Sequence, residues 1–454
     1  MPARCSGPPI NGTIPMDSVR YLEDQIHALS LDAYEVYELE KRVLTVEAKE
    51  GVVDSLDEAV EKGLAIRLFR GGKCGFACMS DAPTPFLERM VKLAYNTLKV
   101  VEEGALIALP PHDAGGRISA AVGSLLGREA KFQLAIDLEK RAMAFDRRIT
   151  RVRDASFSEE TLTVTIRNSR GLDRTHTASR YELSLMVMAE DRGNQEMAWD
   201  SEQTTDTSHL EVQRLADQAA MKAIGQLGGK PVVTQKSPAV LDAMVVASFL
   251  GILSSSFFGD QVQKNRSLLK GKVGEEIYGS GIHITDEGDL PGGFSSFPFD
   301  GEGVSTRRNE LVTQGVLKGF LHDLTSGAKE GGASTGNGIR PNFKEPPRVG
   351  VTNFSIQPGK GGVEDLLAEM GRGFWIRDVI GLHTADAVTG DFSIGASGFW
   401  IEAGKPQSPV RGVTISGNLH NVLKGTVRAG GEVRWYHSFG APPLLISSMD
   451  IGGY

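Results

Sequence analysis

Ala243-Met-Val-Val-Ala-Ser-Phe-Leu-Gly-Ile-Leu-Ser-Ser-Ser-Phe-Phe-Gly259, bounded by Asp242 and Asp260, carries no charge at all. It is shorter than the roughly 20 apolar residues that span a bilayer, and its serines and glycines dilute it further. The reading left is a helix buried over most of its surface at the centre of a domain. A buried helix without polar chemistry has a structural role by default. The segment thus marks a core and offers no catalytic residue.

The residues upstream set the boundary of that domain. Gly228-Gly229-Lys230-Pro231 stops an amphipathic helix over 207–227, which Asp206 or Thr207 can cap. Residues 16–228 then form an N-terminal domain and 229–454 a C-terminal one, as expected for 454 residues. Helical periodicity marks 19–30, 85–103 and 129–145, the last through Phe132, Ala135, Ile136 and Met143. Alternation over 33–50 predicts a strand pair, and 64–80 predicts a strand. Further β-rich runs over 150–202 are divided by turns at Asn168-Ser169-Arg170-Gly171 and Asp191-Arg192-Gly193-Asn194. Beyond 229 glycine becomes dense, and 364–371 and 418–425 are the later helical candidates. The class is α+β, with a mixed N-terminal domain and a glycine-rich, strand-dominated C-terminal domain around one buried helix.

Composition narrows the function. A formal net charge of −8 argues against a duplex-binding surface, so nucleic acid is disfavoured as a partner. Residues 1–15 lack the apolar run of a signal peptide and read as a disordered lead-in to a cytoplasmic protein with no membrane partner. Cys5, Cys74 and Cys78 are too few for a metal site, and the last two read as small buried residues in a reducing compartment.

Motif tests are mostly negative. No His is followed by Glu, which removes the H-E-x-x-H zinc helix, and there is no phosphate-binding P-loop. Gly332-Ala-Ser-Thr-Gly336 satisfies G-x-S-x-G, but Pro341 shortly after it is a poor start for the helix that a nucleophile elbow needs. His322-Asp323 follows a strand-like run over 315–321 and reads as a hydrogen-bonded structural pair more readily than as half of an acid–base system. Arg307-Arg308 could receive a carboxylate or face solvent.

Between 271 and 337 the chain becomes specific. Lys272-Val-Gly-Glu275, Leu290-Pro-Gly-Gly293, Phe299-Asp-Gly-Glu-Gly-Val304, Thr306-Arg-Arg308, Gly315-Val-Leu-Lys-Gly-Phe-Leu-His-Asp323 and Ser334-Thr-Gly-Asn337 occur in the order of the TldD/PmbA family. Thr389-Gly-Asp-Phe-Ser393, Gly398-Phe-Trp-Ile-Glu402, Ile415-Ser-Gly-Asn418 and, near the start, Gly63-Leu-Ala-Ile-Arg67 extend the resemblance over nearly everything after residue 30. The resemblance implies a choice between two branches. TldD-type chains carry H-E-x-x-x-H on the central helix and a late cysteine as a further zinc ligand. PmbA/TldE-type chains lack both and pair with TldD. Anchored on Gly259-Asp260, the two His and the Glu fall on Leu250, Ser255 and Gly251, and no cysteine follows Cys78. Leu cannot ligate zinc, and Gly cannot act as a base.

The resemblance therefore implies a noncatalytic PmbA/TldE-like subunit of a TldD-type cytosolic metalloprotease that processes peptides and unfolded small proteins. No cofactor is expected on this chain, and zinc is expected only in the TldD-like partner. Two alternatives stay open: a self-sufficient metallopeptidase with ligands among His283, His322 and His383, or a nonenzymatic regulator of the gyrase-modulator kind. Self-association also stays open. Expected to touch substrate or partner are Asp300, Glu302, Arg307, Arg308, His322, Asp323, Thr335 and Asn337. Edge-strand addition of an extended peptide suits the strand-rich half.

Overall fold

The computed structural model describes residues 16–81, 83–101, 109–110 and 126–454. The expected lead-in over 1–15, Cys5 and the end of the helix expected over 85–103 lie outside the described residues.

One antiparallel sheet organises the first half. Its strands β1 (Ala33–Lys49), β2 (Val52–Arg70), β3 (Lys73–Ser80), β4 (Ile149–Asn168), β5 (Asp173–Asp191) and β6 (Asn194–Thr204) lie in the order β3-β2-β1-β4-β5-β6. Where a strand pair was expected over 33–50, there is one uninterrupted strand. Its charged middle does not break it, because Glu40 faces Lys62 and Lys41 faces Glu61 across the ladder. The opposite error holds over 64–80, where Gly71 and Gly72, both at positive φ, turn the expected single strand into a hairpin. The turns expected at 168–171 and 191–194 are where strands β4, β5 and β6 meet.

Period-2 alternation gives this sheet two different faces. Tyr34 and Val36 face helices α1 (Met16–His27) and α2 (Thr84–Thr97). Further along, β4 and β5 are covered by α3 (Arg128–Phe145) and α4 (Val212–Gln226), through Phe157, Leu183, Leu185, Ala135, Leu138 and Ala219. Of the α3 residues expected to define its apolar face, Ala135 is fully buried and Met143 is 41% exposed. On the other face Tyr37, Leu39, Val164 and Ile166 pack on Phe299 and Phe343 of the C-terminal half. Gly63 makes that contact possible, since a Cβ there would run into the Phe343 ring.

The second half holds two further six-stranded sheets. One runs 405–418, 391–402, 373–380, 235–241, 444–452, 426–429, and an extra pairing of 405–418 with 444–452 closes five of these strands into a ring. The other runs 316–317, 308–313, 284–287, 354–356, 439–441, 434–436. Helix α5 (Ala243–Leu253) lies in the core they share, with Val245, Val246, Phe249, Leu250 and Leu253 all buried. Asp242 caps it by accepting from the Met244 N–H. The uncharged segment is thus a central helix, as its composition predicts. The helices expected near 364–371 and 418–425 are Val363–Met370 and Leu419–Lys424, and a short one over Leu324–Lys329 joins them.

The halves are joined by buried charge. Glu35 on β1 sits opposite Arg67 on β2, which donates from Nε at 3.0 Å and from Nη2 at 2.6 Å. Arg67 Nη1 also donates to Glu302 at 3.0 Å, and Arg340 donates to Glu35. Burial would raise the Glu35 carboxyl, but Arg340 and Arg67 outweigh it and hold the group below the ordinary range. A depressed folded-state pKa means that this stabilisation is present above about pH 4 and is lost as pH falls further. Arg67→Met leaves two buried carboxylates short of a cation and should lower the unfolding free energy by about 3–5 kcal/mol. Urea denaturation at pH 7 checks this, and a loss under about 1 kcal/mol would show that the network is dispensable.

Candidate functional site

The open side of α5 carries Met244, Ser248 and Gly251, positions that recur at helical spacing. With Trp199 of β6, Asp378, Val379, Tyr436 and Phe439 they line a cavity of about 390 Å³. It adjoins a cleft of about 620 Å³, with which it shares Trp199, Met244 and Asp378. That cleft runs between β6 and the ring of strands and is lined by Met197, Ile380, Arg377, Lys222 and Arg411. Three of its apolar side chains stand open to solvent: Met197 at 59%, Trp199 at 36% and Ile380 at 70%. β6 ends its sheet, and its outer edge pairs with no other strand among the described residues.

Charge at the cleft is firmly placed. Asp200 of β6 is fully buried and accepts from Lys222 at 2.9 Å and Arg434 at 3.2 Å. Burial pushes against its charge, but the two cations prevail and hold its pKa down. Arg377 is less well served. Burial pulls its pKa down, and its Nε lies 3.9 Å from Asp242, too far for a hydrogen bond. Tyr436 hydroxyl, also buried, has no hydrogen-bond partner among the described residues. Burial raises Asp378. These are polar groups that an incoming backbone could satisfy.

Zinc, which the resemblance puts on this helix in TldD-type chains, does not fit the groups present. Leu250 is 1% exposed and packs in the core, away from the cleft, and Gly251 has no side chain. Ser255 Oγ donates to the carbonyls of Ile252 at 3.5 Å and Ala387 at 3.4 Å. Two ligands five residues apart stand about 140° apart on an α-helix, so their convergence calls for local widening. The chain tightens instead. Ser254–Phe257 is a 3-10 turn, and its roughly 120° per residue drives positions 250 and 255 further apart. Among the described residues, no three His, Cys, Asp or Glu side chains gather as a ligand set.

The residues expected to touch substrate or partner sit elsewhere, and most are hydrogen-bonded within the chain. Asp300 accepts from the N–H groups of Glu302, Val304 and Gly338, and burial together with Glu302 raises its pKa. Glu302 accepts from Arg67 and from the Leu324 N–H. Asp323 caps the helix Leu324–Lys329 in a reciprocal box with Ser326. Thr335 hydroxyl holds the backbone of His322 and donates to Asn337 Oδ1, and Asn337 donates to Asp286 at 2.7 Å. Arg307 donates to the Ser334 carbonyl, while Arg308 is a solvent-facing residue near Glu287 and Glu310. His322 packs against Gly259, six residues beyond the end of α5, where a Cβ would run into its ring, and Glu330 lies 3.5 Å from Nε2. Ser334 hydroxyl donates to the His322 carbonyl, so it stands on no nucleophile elbow. Met197, Trp199, Ile380 and Tyr436 carry no motif, and the sequence reading misses them.

Two measurements follow from these placements. Leu250→Ala should cost about 2–5 kcal/mol as a core truncation, and Ser255→Ala less than about 1 kcal/mol. Equal costs in a denaturation series would contradict the separation of the two positions. Burial also raises Asp286 to about 6, against three hydrogen bonds from Asn337 and Thr352 that pull it down. A raised folded pKa adds stability at low pH that is lost as pH climbs from about 4 through 6. Asp286→Asn should flatten that slope in unfolding free energies measured across the window, and an unchanged slope would assign it to another group.

Comparison with known proteins agrees with this architecture. Three family models match in chain order: the PmbA/TldA metallopeptidase domain 1 over 34–97, the central domain over 125–227 and the C-terminal domain over 234–453. The first two share the single sheet described above. Metalloprotease PmbA of Escherichia coli is 26% identical over 419 residues, which cover 90% of each chain. A gyrase-modulator-like chain from Thermotoga maritima is 28% identical with a TM-score of 0.86, covering 96% of this chain and 100% of that one. TldE from Thermococcus kodakarensis, at 20% identity, shares the fold with a TM-score of 0.86 over 96% and 99% of the two chains. The chain belongs to the PmbA/TldD metallopeptidase family.

Proposed function

We propose that this chain is a noncatalytic, PmbA/TldE-like subunit that pairs with a TldD-type metalloprotease and holds extended peptide or unfolded chain for it. The observation that carries the proposal is a cleft kept open along a helix whose motif positions are Leu250, Gly251 and Ser255. A site lost to drift would fill or close. Here the apolar side chains Met197, Trp199 and Ile380 are exposed beside an edge of β6 that pairs with no other strand among the described residues. An edge strand offers backbone donors and acceptors to any sequence, and flexible Met side chains accept varied residues. Arg377 Nε and the Tyr436 hydroxyl, buried at the walls of the cleft, have no hydrogen-bond partner among the described residues. The chain needs no metal of its own for this role, and zinc belongs to the partner. Among the described residues no helix is long and apolar enough to cross a membrane.

Size-exclusion chromatography with a TldD-type subunit should give a stable complex, and cleavage of an unfolded substrate should rise at least tenfold over either chain alone. Trp199→Asp with Ile380→Asp, which places charge in the cleft, should remove most of that gain while leaving the complex intact. Full-rate cleavage by the TldD-type subunit alone, with no complex formed, would refute pairing. Stoichiometric zinc in the isolated chain would favour a self-sufficient peptidase.

A further inference from the structure

A second cavity, of about 330 Å³, lies between the C-terminal face of the first sheet and the loops of the second half. It has no lining residue in common with the cleft along α5. Its floor is Tyr37, Leu39, Leu162 and Val164, all on one face of β1 and β4, and Phe297 and Phe299 cover it. Its volume is at the small end of the range for ligand sites, and its aromatic and aliphatic walls suit a compact apolar body.

The polar groups on its walls point to a charge of one sign. Arg340, 9% exposed, donates from Nε to the Gly301 carbonyl and from Nη2 to Glu35, and its Nη1 has no acceptor among the described residues. Its guanidinium lies 4.5 Å from the Tyr37 ring centroid. Arg180 is stacked 5.1 Å from the Phe297 centroid, and its Nε likewise has no acceptor among the described residues. One carboxylate, Glu160, serves both Arg180 at 3.2 Å and Lys41 at 2.5 Å. The other carboxylates on the walls are engaged. Glu61 pairs with Lys344 at 3.0 Å, and Asp300 is surrounded by backbone N–H groups. Burial and Glu302 raise Asp300 toward its neutral form, which lowers repulsion of an anion. Two buried guanidinium nitrogens without acceptors beside apolar walls are costly unless something fills the space.

We propose that this cavity binds a small carboxylate with an apolar body, its charge received by Arg180 and Arg340 and its body held between Phe297 and the strand floor. Guanidinium nitrogens suit carboxylate oxygens better than any neutral acceptor. A free organic acid and the C-terminal residue of a short peptide present the same chemistry. The site needs no partner chain, so it stands apart from the pairing proposed above.

Calorimetric titration of the full chain with 3-phenylpropionate should show saturable binding of one molecule per chain. The uncharged 3-phenylpropanamide should bind at least about tenfold more weakly, as should the acid to Arg180→Met, given the strength of a charge-assisted bond. Leu162→Trp, which fills the floor without touching the ion pairs, should abolish binding while leaving the circular dichroism and melting temperature close to the parent. N-acetyl-glycyl-phenylalanine separates the sources: tighter binding than the free acid supports a peptide C-terminus, weaker binding supports a free acid. The proposal is overturned if the acid shows no saturation up to about 10 mM. Equal affinity for acid and amide, or affinity unchanged in both variants, would overturn it too.

Discussion

Glu35, Arg67, Glu302 and Arg340 form the interaction on which the arrangement of this molecule depends. Two carboxylates and two guanidinium groups, each nearly or fully buried, join adjacent strands of the first sheet to two loops of the second half. Hydrophobic residues of similar volume could give as much stability there, because the desolvation of four charges offsets most of their attraction. What an apolar contact lacks is direction. Bidentate donation from Arg67 to Glu35 allows one register of β1 against β2, and the donation of Nη1 to Glu302 then fixes where the loop after Phe299 sits.

That position propagates through hydrogen bonds. Glu302 accepts from the Leu324 N–H, and Asp323 at the same helix start holds Ser326. Asp300 ties Gly338, and Asn337 ties Asp286 and thereby Thr352. The run of polar residues between 300 and 337 is therefore a framework, and its side chains spend their capacity on backbone groups that strand ladders leave free. A second buried cluster repeats the device at the other end of the interface. Asp200 on β6 receives Lys222 from its own half and Arg434 from the other. The cleft along α5 lies beside this cluster, with Arg377 and Lys222 on its wall.

How much of this could be read from sequence depended on range. The uncharged run 243–259 declared a buried helix because every term that matters there is local: length, absence of charge, and a capping Asp242. β1 was harder. Glu38-Leu39-Glu40-Lys41-Arg42 resembles a break, and opposing charges on the two neighbouring strands, Lys62 for Glu40 and Glu160 for Lys41, explain why it stays extended. The hairpin at Gly71-Gly72 had a local signal, two adjacent glycines, which the apolar run around it obscured. Asp323 and Ser326 carry the pattern of a capping box, and the short helix they start could have been found from it. The cleft was not legible at all. Trp199, Ile380 and Tyr436 come from separate elements, and none is unusual by itself.

The packing of Leu250, Gly251 and Ser255 and the open cleft beside them are best understood together. A side chain at position 250 faces the shared core, so Leu there adds burial that a histidine would forgo. Ser254 and Ser255 bond back to carbonyls three residues earlier, a pattern that favours the tightened 3-10 turn. Both features support the helix, and the tightened turn carries positions 250 and 255 away from each other. The opposite wall is open. Trp199 and Met197 stay exposed on an edge strand, an arrangement that invites unwanted strand pairing and is ordinarily blunted or covered. An open apolar edge across from a helix that gathers no metal ligands among the described residues is the geometry that the proposed peptide-holding role would use.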